Sequence, residues 1–119
     1  MKRDLGCAAD IVEAAKDIAG FLSGVTEEEF LRDKFVRSAI IRQLEIVGEA
    51  TKRLSGTFRE VHPGVPWKDM AGLRDRLIHA YDDLDLERVW DAAVNVLPRV
   101  RAYLERLLPT EPFDPKKED

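Results

Sequence analysis

The sequence predicts an all-α protein, an antiparallel bundle of four main helices plus a short helix. Apolar residues recur every three to four positions along most of the chain, which is the spacing of amphipathic helices. No stretch alternates in the manner of a β-strand, and glycines, prolines and capping residues separate the helical stretches. With 119 residues, 45% of them hydrophobic, the chain is long enough for one domain with its own core.

The first predicted helix covers residues 5–22, where eight apolar residues follow a helical period, and it ends near Gly24. A short helix comes next. Thr26 is its predicted N-cap, and Glu29, three residues on, completes the pattern of a capping box ahead of Phe30. This arrangement predicts a helical turn between the first helix and the second long one.

The second long helix is predicted over residues 33–54 and has apolar residues on more than one face. It should therefore contact neighbours on two sides, as the central helix of the bundle. Gly48 interrupts it at a cost of about 1 kcal/mol relative to alanine, which is tolerated where another backbone or a ligand comes close. Residues 57–65, which are rich in turn formers, are predicted to be a loop.

The third helix is predicted to begin at Pro66 and to cover residues 67–81. Its apolar stripe includes Met70 and Leu77, and Arg74 and Tyr81 fall in the same stripe. An isolated buried guanidinium is very costly. Arg74 therefore implies an acidic neighbour, a subunit boundary or an anionic ligand.

The fourth helix is predicted to start after Asp85, a favourable N-cap, and its apolar period continues to Leu107. Pro98 lies beside the apolar stripe and should kink this helix without ending it. From Pro109 onward the chain has further prolines, mixed charges and no period. We therefore expect a helical domain over residues 1–108 and a flexible C-terminal tail over residues 109–119.

The composition of the chain limits the classes of function that it can have. The formal net charge of −4 argues against a dedicated duplex-binding protein but permits a small basic site that meets RNA. The single cysteine, Cys7, has no partner for an internal disulfide and is expected to be a small buried hydrophobe. No N-terminal apolar run resembles a signal peptide or a membrane span, so we expect a cytoplasmic protein with no membrane partner.

Arg74 and His79 are the candidate catalytic residues. Arginine can hold a phosphate with paired hydrogen bonds, and histidine can transfer protons near neutral pH, so the pair suits phosphodiester cleavage. In RNA the nucleophile is the 2′-hydroxyl of the substrate. The sequence lacks metal-ligand spacing and a phosphate-binding glycine loop, and we expect no metal and no cofactor. The simpler interpretation is a charged helix face, with Asp75 and His79 as a local ion pair.

The number of histidines bears on the assembly. Cleavage by a 2′-hydroxyl benefits from both a base and an acid, yet the stretch supplies only His79. A homodimer that brings two copies of the third helix together would double the set and would cover Arg74 and Tyr81. We therefore predict a homodimer.

Other polar and aromatic residues have plainer interpretations. Glu49 either orders Arg74 across the helix pair or forms a surface pair with Lys52 or Arg53. His62 is expected to be structural or exposed, and Trp67 and Trp90 are expected in the core. Arg99, Arg101 and Arg106 are expected to lie on a solvated helix face, which we prefer to a role in guiding RNA.

The stretch from Arg74 to Tyr81 resembles the RxxxxHxY signature of HEPN-domain ribonucleases, specifically the HepT toxins of prokaryotic HepT–MntA toxin–antitoxin pairs. The similarity spans nearly the whole chain. Ile46-Val47-Gly48-Glu49-Ala50 resembles the family's I-G-E-A segment, residues 62–67 resemble the P-x-x-P-W segment before the motif helix, and residues 85–90 resemble the start of its last long helix.

This resemblance implies a metal-independent endoribonuclease toxin, active as a homodimer with its cleft at the subunit interface. Arg74 and His79 match the catalytic pair, and Asp75 matches the polar position that follows the arginine. Tyr81 matches the tyrosine to which a cognate MntA-like nucleotidyltransferase antitoxin can add AMP. Such an adduct would bring bulk and negative charge into a cleft that receives phosphate.

Two other functions compete with this one. A non-catalytic HEPN subunit would use Arg74 to bind a nucleotide or a nucleotidyltransferase partner, and would keep its function in a His79→Ala variant. A structural dimerisation bundle would lose only stability when Arg74 is replaced by alanine.

Overall fold

The structure, a computed structural model, describes residues 2–79 and 85–109, without the side chains of Lys2, Arg74, Ile78 and His79. This part of the chain is mostly helical and contains no β-strand, which confirms the all-α class. Its elements are α1 (Lys2–Phe21), α2 (Glu27–Arg32), α3 (Lys34–Arg53), α4 (Gly56–Val61), α5 (Trp67–His79), α6 (Leu86–Asp91), a π-helical turn (Ala92–Val96) and α7 (Leu97–Glu105).

Helix α1 begins three residues earlier than predicted and buries the apolar stripe that its period indicated. Ala8, Ile11 and Ile18 are almost completely buried. Cys7 is buried as well, as expected, and burial raises the pKa of its thiol. After α1 the chain turns at Gly24, whose φ of 76° lies in the left-handed region that favours glycine.

Side-chain caps set the start of α2 and of α3. The Thr26 hydroxyl accepts a hydrogen bond from the Glu29 N–H at 3.1 Å, as the capping pattern predicted. Asp33 caps α3 by accepting hydrogen bonds from the N–H groups of Phe35 and Val36. Phe30, completely buried, anchors the short α2.

Helix α3 is the central helix, as predicted, because it packs against both α1 and α5. Its buried residues are Ile40, Leu44, Val47, Gly48, Ala50 and Thr51. The buried Thr51 hydroxyl donates to the Val47 carbonyl at 2.7 Å, so its polar atom is satisfied. Asp4, near the start of α1, binds Ser55, just after α3, which shows that these two long helices run antiparallel.

The predicted loop over residues 57–65 is wrong in its first half, where the chain forms the short helix α4. Ser55 is the N-cap, and its hydroxyl accepts from the Phe58 N–H at 3.1 Å. None of the residues of α4 is buried, so the helix produces no apolar period that the sequence could reveal.

The rest of that loop is held by an aromatic cluster. His62 lies against the Phe58 ring at a centroid distance of 4.6 Å, and its Nδ1 is 2.7 Å from the Tyr103 hydroxyl. Trp67, 6% exposed, donates from its indole nitrogen to the His62 carbonyl. The structural role expected for His62 and the core position expected for Trp67 are both confirmed.

Asp85 caps the last helical stretch, accepting from the N–H groups of Glu87 and Arg88. This stretch is not simply kinked at Pro98, because a π-helical turn precedes the proline. Proline has no N–H to donate, and its ring clashes with a carbonyl one turn earlier, which the wider turn relieves. Helically spaced side chains remain buried on both sides of the turn, among them Val89, Leu97, Val100 and Leu104.

Trp90 completes the core around α2. The centroid of its indole ring is 5.3 Å from that of the Phe30 ring. Trp90 also packs against the buried residues of the hydrophobic core, as expected. The predicted tail was placed at residues 109–119, of which residues 110–119 lie outside the described part of the chain.

Candidate functional site

Helix α5 places the two candidate catalytic positions on different sides of its axis. The stripe that faces the core includes the buried residues Trp67, Met70 and Leu77. Position 74 belongs to this stripe by its spacing of four and three residues from Met70 and Leu77. The side chain of Arg74 lies outside the described residues, and its predicted pairing remains a prediction.

Position 79 belongs to the opposite stripe, with positions 68, 72 and 75. Of these, Lys68 is exposed, and Gly72 and Asp75 are half-buried. Positions 74 and 79 are about 140° apart around the axis and about 7.5 Å apart along it. A phosphate that meets both side chains must therefore lie beside the helix, because no single face of α5 contains both positions.

Asp75 connects the motif to the central helix. Its Oδ1 accepts a hydrogen bond from the Lys52 ammonium of α3 at 2.5 Å, and the side chains are 49% and 38% exposed. The lysine offsets the negative charge of the residue that directly follows Arg74. A carboxylate next to a phosphate-binding arginine would otherwise repel the substrate.

Glu49 lies one turn before Lys52 on α3 and is exposed. Within residues 2–79 and 85–109, no ion pair or hydrogen bond of the Glu49 side chain is present, whereas Lys52 binds Asp75. The suggested surface pair between Glu49 and Lys52 is therefore not formed. The role of Glu49 behind Arg74 stays a prediction.

Arg76 shows what an ordinary surface arginine of α5 looks like. It is exposed, and its guanidinium makes one long hydrogen bond, 3.4 Å, to the Asp69 carbonyl. The description of a solvated helix face fits Arg76, two positions from Arg74. Arg76 is therefore a suitable control for substitutions of Arg74.

The remaining predicted site residue, Tyr81, lies outside the described residues, together with Ala80 and residues 82–84. Among the residues that are described, no group of His, Cys, Asp and Glu is arranged to hold a metal ion. None of the described helices combines the length and the apolar composition needed to cross a bilayer.

Lys52 is the residue that sequence reasoning missed at this site. Its partner, Asp75, is 23 positions away on another helix, and no local spacing connects the two. The only available signal was that α3 and α5 were both expected beside each other in a bundle. That expectation does not fix which of their charged residues meet.

Comparison with known proteins supplies the family context. A family model described as "Ribonuclease HepT-like" matches residues 11–107. A protein of Methanocaldococcus jannaschii named "Putative RNase MJ0127" is 44% identical over 99 residues, covering 83% of this chain and 82% of the relative. "Probable ribonuclease HepT" of Thermococcus cleftensis is 41% identical over 98 residues, covering 82% and 89%. No solved structure gives a significant match.

Proposed function

The chain belongs to the HepT-like ribonuclease family and is an endoribonuclease, and we propose that it is a toxin that cleaves RNA by attack of the substrate's own 2′-hydroxyl. One observation carries the proposal: α5 bears Arg74 and His79 five residues apart, with Asp75 of the same helix held by Lys52 of α3. The spacing matches the family signature, and the pair of residue types suits phosphate chemistry.

In the proposed reaction the 2′-oxygen loses its proton to a histidine and bonds to the adjacent phosphorus. The bond from phosphorus to the 5′-oxygen breaks, and that oxygen takes up a proton. The products carry a 2′,3′-cyclic phosphate and a 5′-hydroxyl. Arg74 binds the non-bridging oxygens and stabilises their increased negative charge in the transition state. The substrate supplies the nucleophile, so the proposed reaction uses no metal ion.

The two proton transfers are the reason for proposing a homodimer. One histidine takes the proton from the 2′-hydroxyl and a second gives a proton to the leaving oxygen. His79 of one subunit and the partner subunit's His79 supply this pair if two α5 helices meet through the stripe of positions 68, 72, 75 and 79. The 140° separation on one helix favours this arrangement, because a cleft between two copies brings positions from different faces around one phosphate.

We also propose that a minimal nucleotidyltransferase related to MntA is the antitoxin and silences the enzyme by adding AMP to Tyr81. The cytoplasm, where cellular RNA is available, is the proposed place of action. The support for these points is the family resemblance together with the position of Tyr81, two residues after His79.

The test is induced expression of the wild type and of the Arg74→Ala, His79→Ala and Arg76→Ala variants without any partner protein. Growth is followed, and the ends of the cellular RNA are analysed. We expect growth arrest and new cyclic-phosphate ends with the wild type and Arg76→Ala. Arg74→Ala and His79→Ala should cause neither effect. Cleavage by purified protein in excess chelator tests the metal-independent step separately.

The same experiment distinguishes the proposed endoribonuclease from a non-catalytic HEPN subunit. If His79→Ala arrests growth as the wild type does, His79 is not the proton-transfer residue. If no variant, including the wild type, cuts RNA although each folds as a dimer, a subunit that binds a nucleotide or a nucleotidyltransferase becomes the better description.

A further inference from the structure

A second candidate site lies at the other end of α5, in a cleft of about 630 Å³ between the 62–66 loop and the last helical stretch. Its size falls in the range typical of small-molecule sites. The π-helical turn forms part of its wall, and such turns are frequent at functional sites. The lining residues are Gly64, Val65, Pro66, Asp91, Asn95, Val96, Arg99, Val100 and Tyr103.

Arg99 is the cation among the residues that line this cleft. Its side chain is exposed, and within the described ranges no hydrogen bond or ion pair engages its guanidinium. Arg101, on the same helix, differs in this respect because it pairs with Glu105 at 3.0 Å. An unengaged guanidinium in a cleft is free to accept an anion such as a phosphate.

Asn95 and Tyr103 lie one turn to either side of Arg99. The Asn95 amide nitrogen donates to the Asp91 carboxylate at 2.7 Å, and its amide oxygen can accept a hydrogen bond from another group. The Asp91 carboxylate disfavours phosphate at its own end of the cleft, but it is eight residues, or about 12 Å along the helix, from Arg99. The cleft therefore has an anion-accepting end and an end with hydrogen-bonding groups.

Tyr103 is held in place. Its hydroxyl is 2.7 Å from His62 Nδ1, and the His62 ring contacts the tyrosine ring edge-on at 5.6 Å. Val65, 5% exposed, and Pro66 line the cleft on the loop side. The aromatic and apolar surface exists before any ligand binds, which lowers the entropic cost of binding.

We propose that this cleft binds one nucleotide of a single-stranded RNA at a distance from the scissile phosphate. Arg99 holds a backbone phosphate, the base packs on Tyr103 and the apolar wall, and Asn95 hydrogen-bonds to the edge of the base. An arginine, an aromatic ring and an amide together are the groups that proteins use for unpaired nucleotides. An interface with a protein would not require an unengaged arginine between an amide and an aromatic ring.

This inference rests on the proposed function, because it makes the cleft part of RNA recognition by the same enzyme. Position 66 is about 12 Å along the helix axis from position 74 and about 20 Å from position 79. A stacked strand rises about 3.4 Å per nucleotide, so roughly four to six nucleotides connect the two sites. Substrates shorter than that reach only one of them.

The first test measures binding without cleavage. The probe is a fluorescent single-stranded RNA of about 12 nucleotides, long enough for both sites, with 2′-O-methyl groups that remove the nucleophile. Arg99→Ala should weaken binding roughly five- to tenfold and reduce the slope of log affinity against log salt by about 0.7, the value for one lost phosphate contact. Arg101→Ala, which removes the same charge from the same helix, should change the affinity by no more than about twofold and should not reduce the slope.

Unchanged affinity and salt slope in Arg99→Ala overturn the proposal. An equal loss of RNA affinity in Arg101→Ala and Arg99→Ala also overturns it, since the change in net charge alone would then explain both losses. AMP serves as a second probe: if Arg99→Ala abolishes AMP binding and leaves RNA binding intact, the cleft takes a free nucleotide, and the RNA assignment is wrong. Tyr103→Phe keeps the stacking ring and loses only the bond to His62, so it should weaken RNA binding less than Arg99→Ala does.

The second test uses cleavage of unmodified RNA. Arg99→Ala should lower kcat/KM for the long substrate several-fold, mainly through KM, and should leave cleavage of a dinucleotide unchanged. An equal loss on both substrates overturns the proposal. If the wild type cuts nothing, the proposed reaction fails, whereas the binding result with the 2′-O-methyl RNA still decides about the cleft.

Discussion

The Lys52 ammonium lies 2.5 Å from the Asp75 carboxylate, so the residue that follows the motif arginine is bound to the central helix. Surface ion pairs of this exposure contribute little to stability, typically about 0–1 kcal/mol. Their local electrostatic effect is a separate matter. Next to a site for phosphate, a lysine that offsets a carboxylate changes the potential that the substrate meets.

Lys52→Ala should therefore lower kcat/KM for RNA about three- to tenfold, because the lysine's positive charge no longer offsets the Asp75 carboxylate beside Arg74. Adding Asp75→Asn to the same chain should restore most of the activity. The measurement is initial cleavage rates of the single and double variants at low salt, arranged as a double-mutant cycle.

Arg42→Ala is the control for Lys52→Ala, because Arg42 is a cation of the same helix in an exposed pair with Glu45. We expect no more than a twofold change in its kcat/KM. An activity loss in Lys52→Ala that scales with a loss of folded protein in urea titrations would assign the lysine a structural role instead.

A second prediction concerns Asp4, which ties the start of α1 to the end of α3. The backbone N–H and the hydroxyl of Ser55 both donate to its carboxylate at 2.8 Å and hold the pKa of that carboxyl below its usual value. These bonds therefore stabilise the fold above the unfolded-state pKa near 4, and the stabilisation is lost as the pH falls through the lower, folded-state pKa.

Asp4→Asn should lower the free energy of unfolding by about 1–2 kcal/mol at pH 7, and the difference from the wild type should shrink below about pH 4. Urea unfolding at a series of pH values measures both effects. Asp10→Asn, a change of an exposed carboxylate on the same helix, should have almost no effect at any pH. A gap between Asp4→Asn and the wild type that is constant with pH would contradict the hydrogen-bond explanation.

The sequence predicted the features that local physical chemistry determines. The caps at Thr26 and Asp85 depend on a side chain and an N–H two or three residues away, and both are present. The buried stripe of α1 and the central position of α3 follow from apolar periodicity, since burial of one face repeats with the helical turn.

What the sequence did not reveal depends on contacts between distant residues or on backbone geometry. Helix α4 buries none of its residues, so no apolar period indicated it. The pairs Asp4 with Ser55 and Lys52 with Asp75 join residues 51 and 23 positions apart. Pro98 predicted a disturbance of the last helix, but not that a π-helical turn would absorb it.

A third prediction concerns Gly72, in the middle of α5. A Cβ built there meets no neighbouring atom within 4 Å, so the protomer itself has room for a side chain. Gly72→Ala should raise the free energy of unfolding by about 0.5–1 kcal/mol at a fixed oligomeric state, because alanine is the better helix former. In the proposed dimer, the new methyl group would lie between two copies of α5 and weaken their association.

Analytical ultracentrifugation over a dilution series compares Gly72→Ala with Gly6→Ala, which adds a methyl group with the same free space in α1. We expect a higher dissociation constant for the dimer in Gly72→Ala only. Equal dimer affinities in the two variants would place the subunit interface elsewhere on the surface.

The fourth prediction concerns the proposed silencing at Tyr81. In the proposed modification, the phenol oxygen of Tyr81 loses its proton and bonds to the α-phosphorus of ATP, and pyrophosphate leaves. Tyr81→Phe keeps the ring but has no oxygen to accept AMP, so it should cut RNA within about threefold of the wild type and should remain toxic when the antitoxin is present.

Tyr103 is the only other tyrosine of the chain, and Tyr103→Phe should still be modified and silenced. Intact-protein mass spectrometry after incubation with ATP and the antitoxin detects the AMP adduct, and an adduct on Tyr81→Phe would place the modification on another residue.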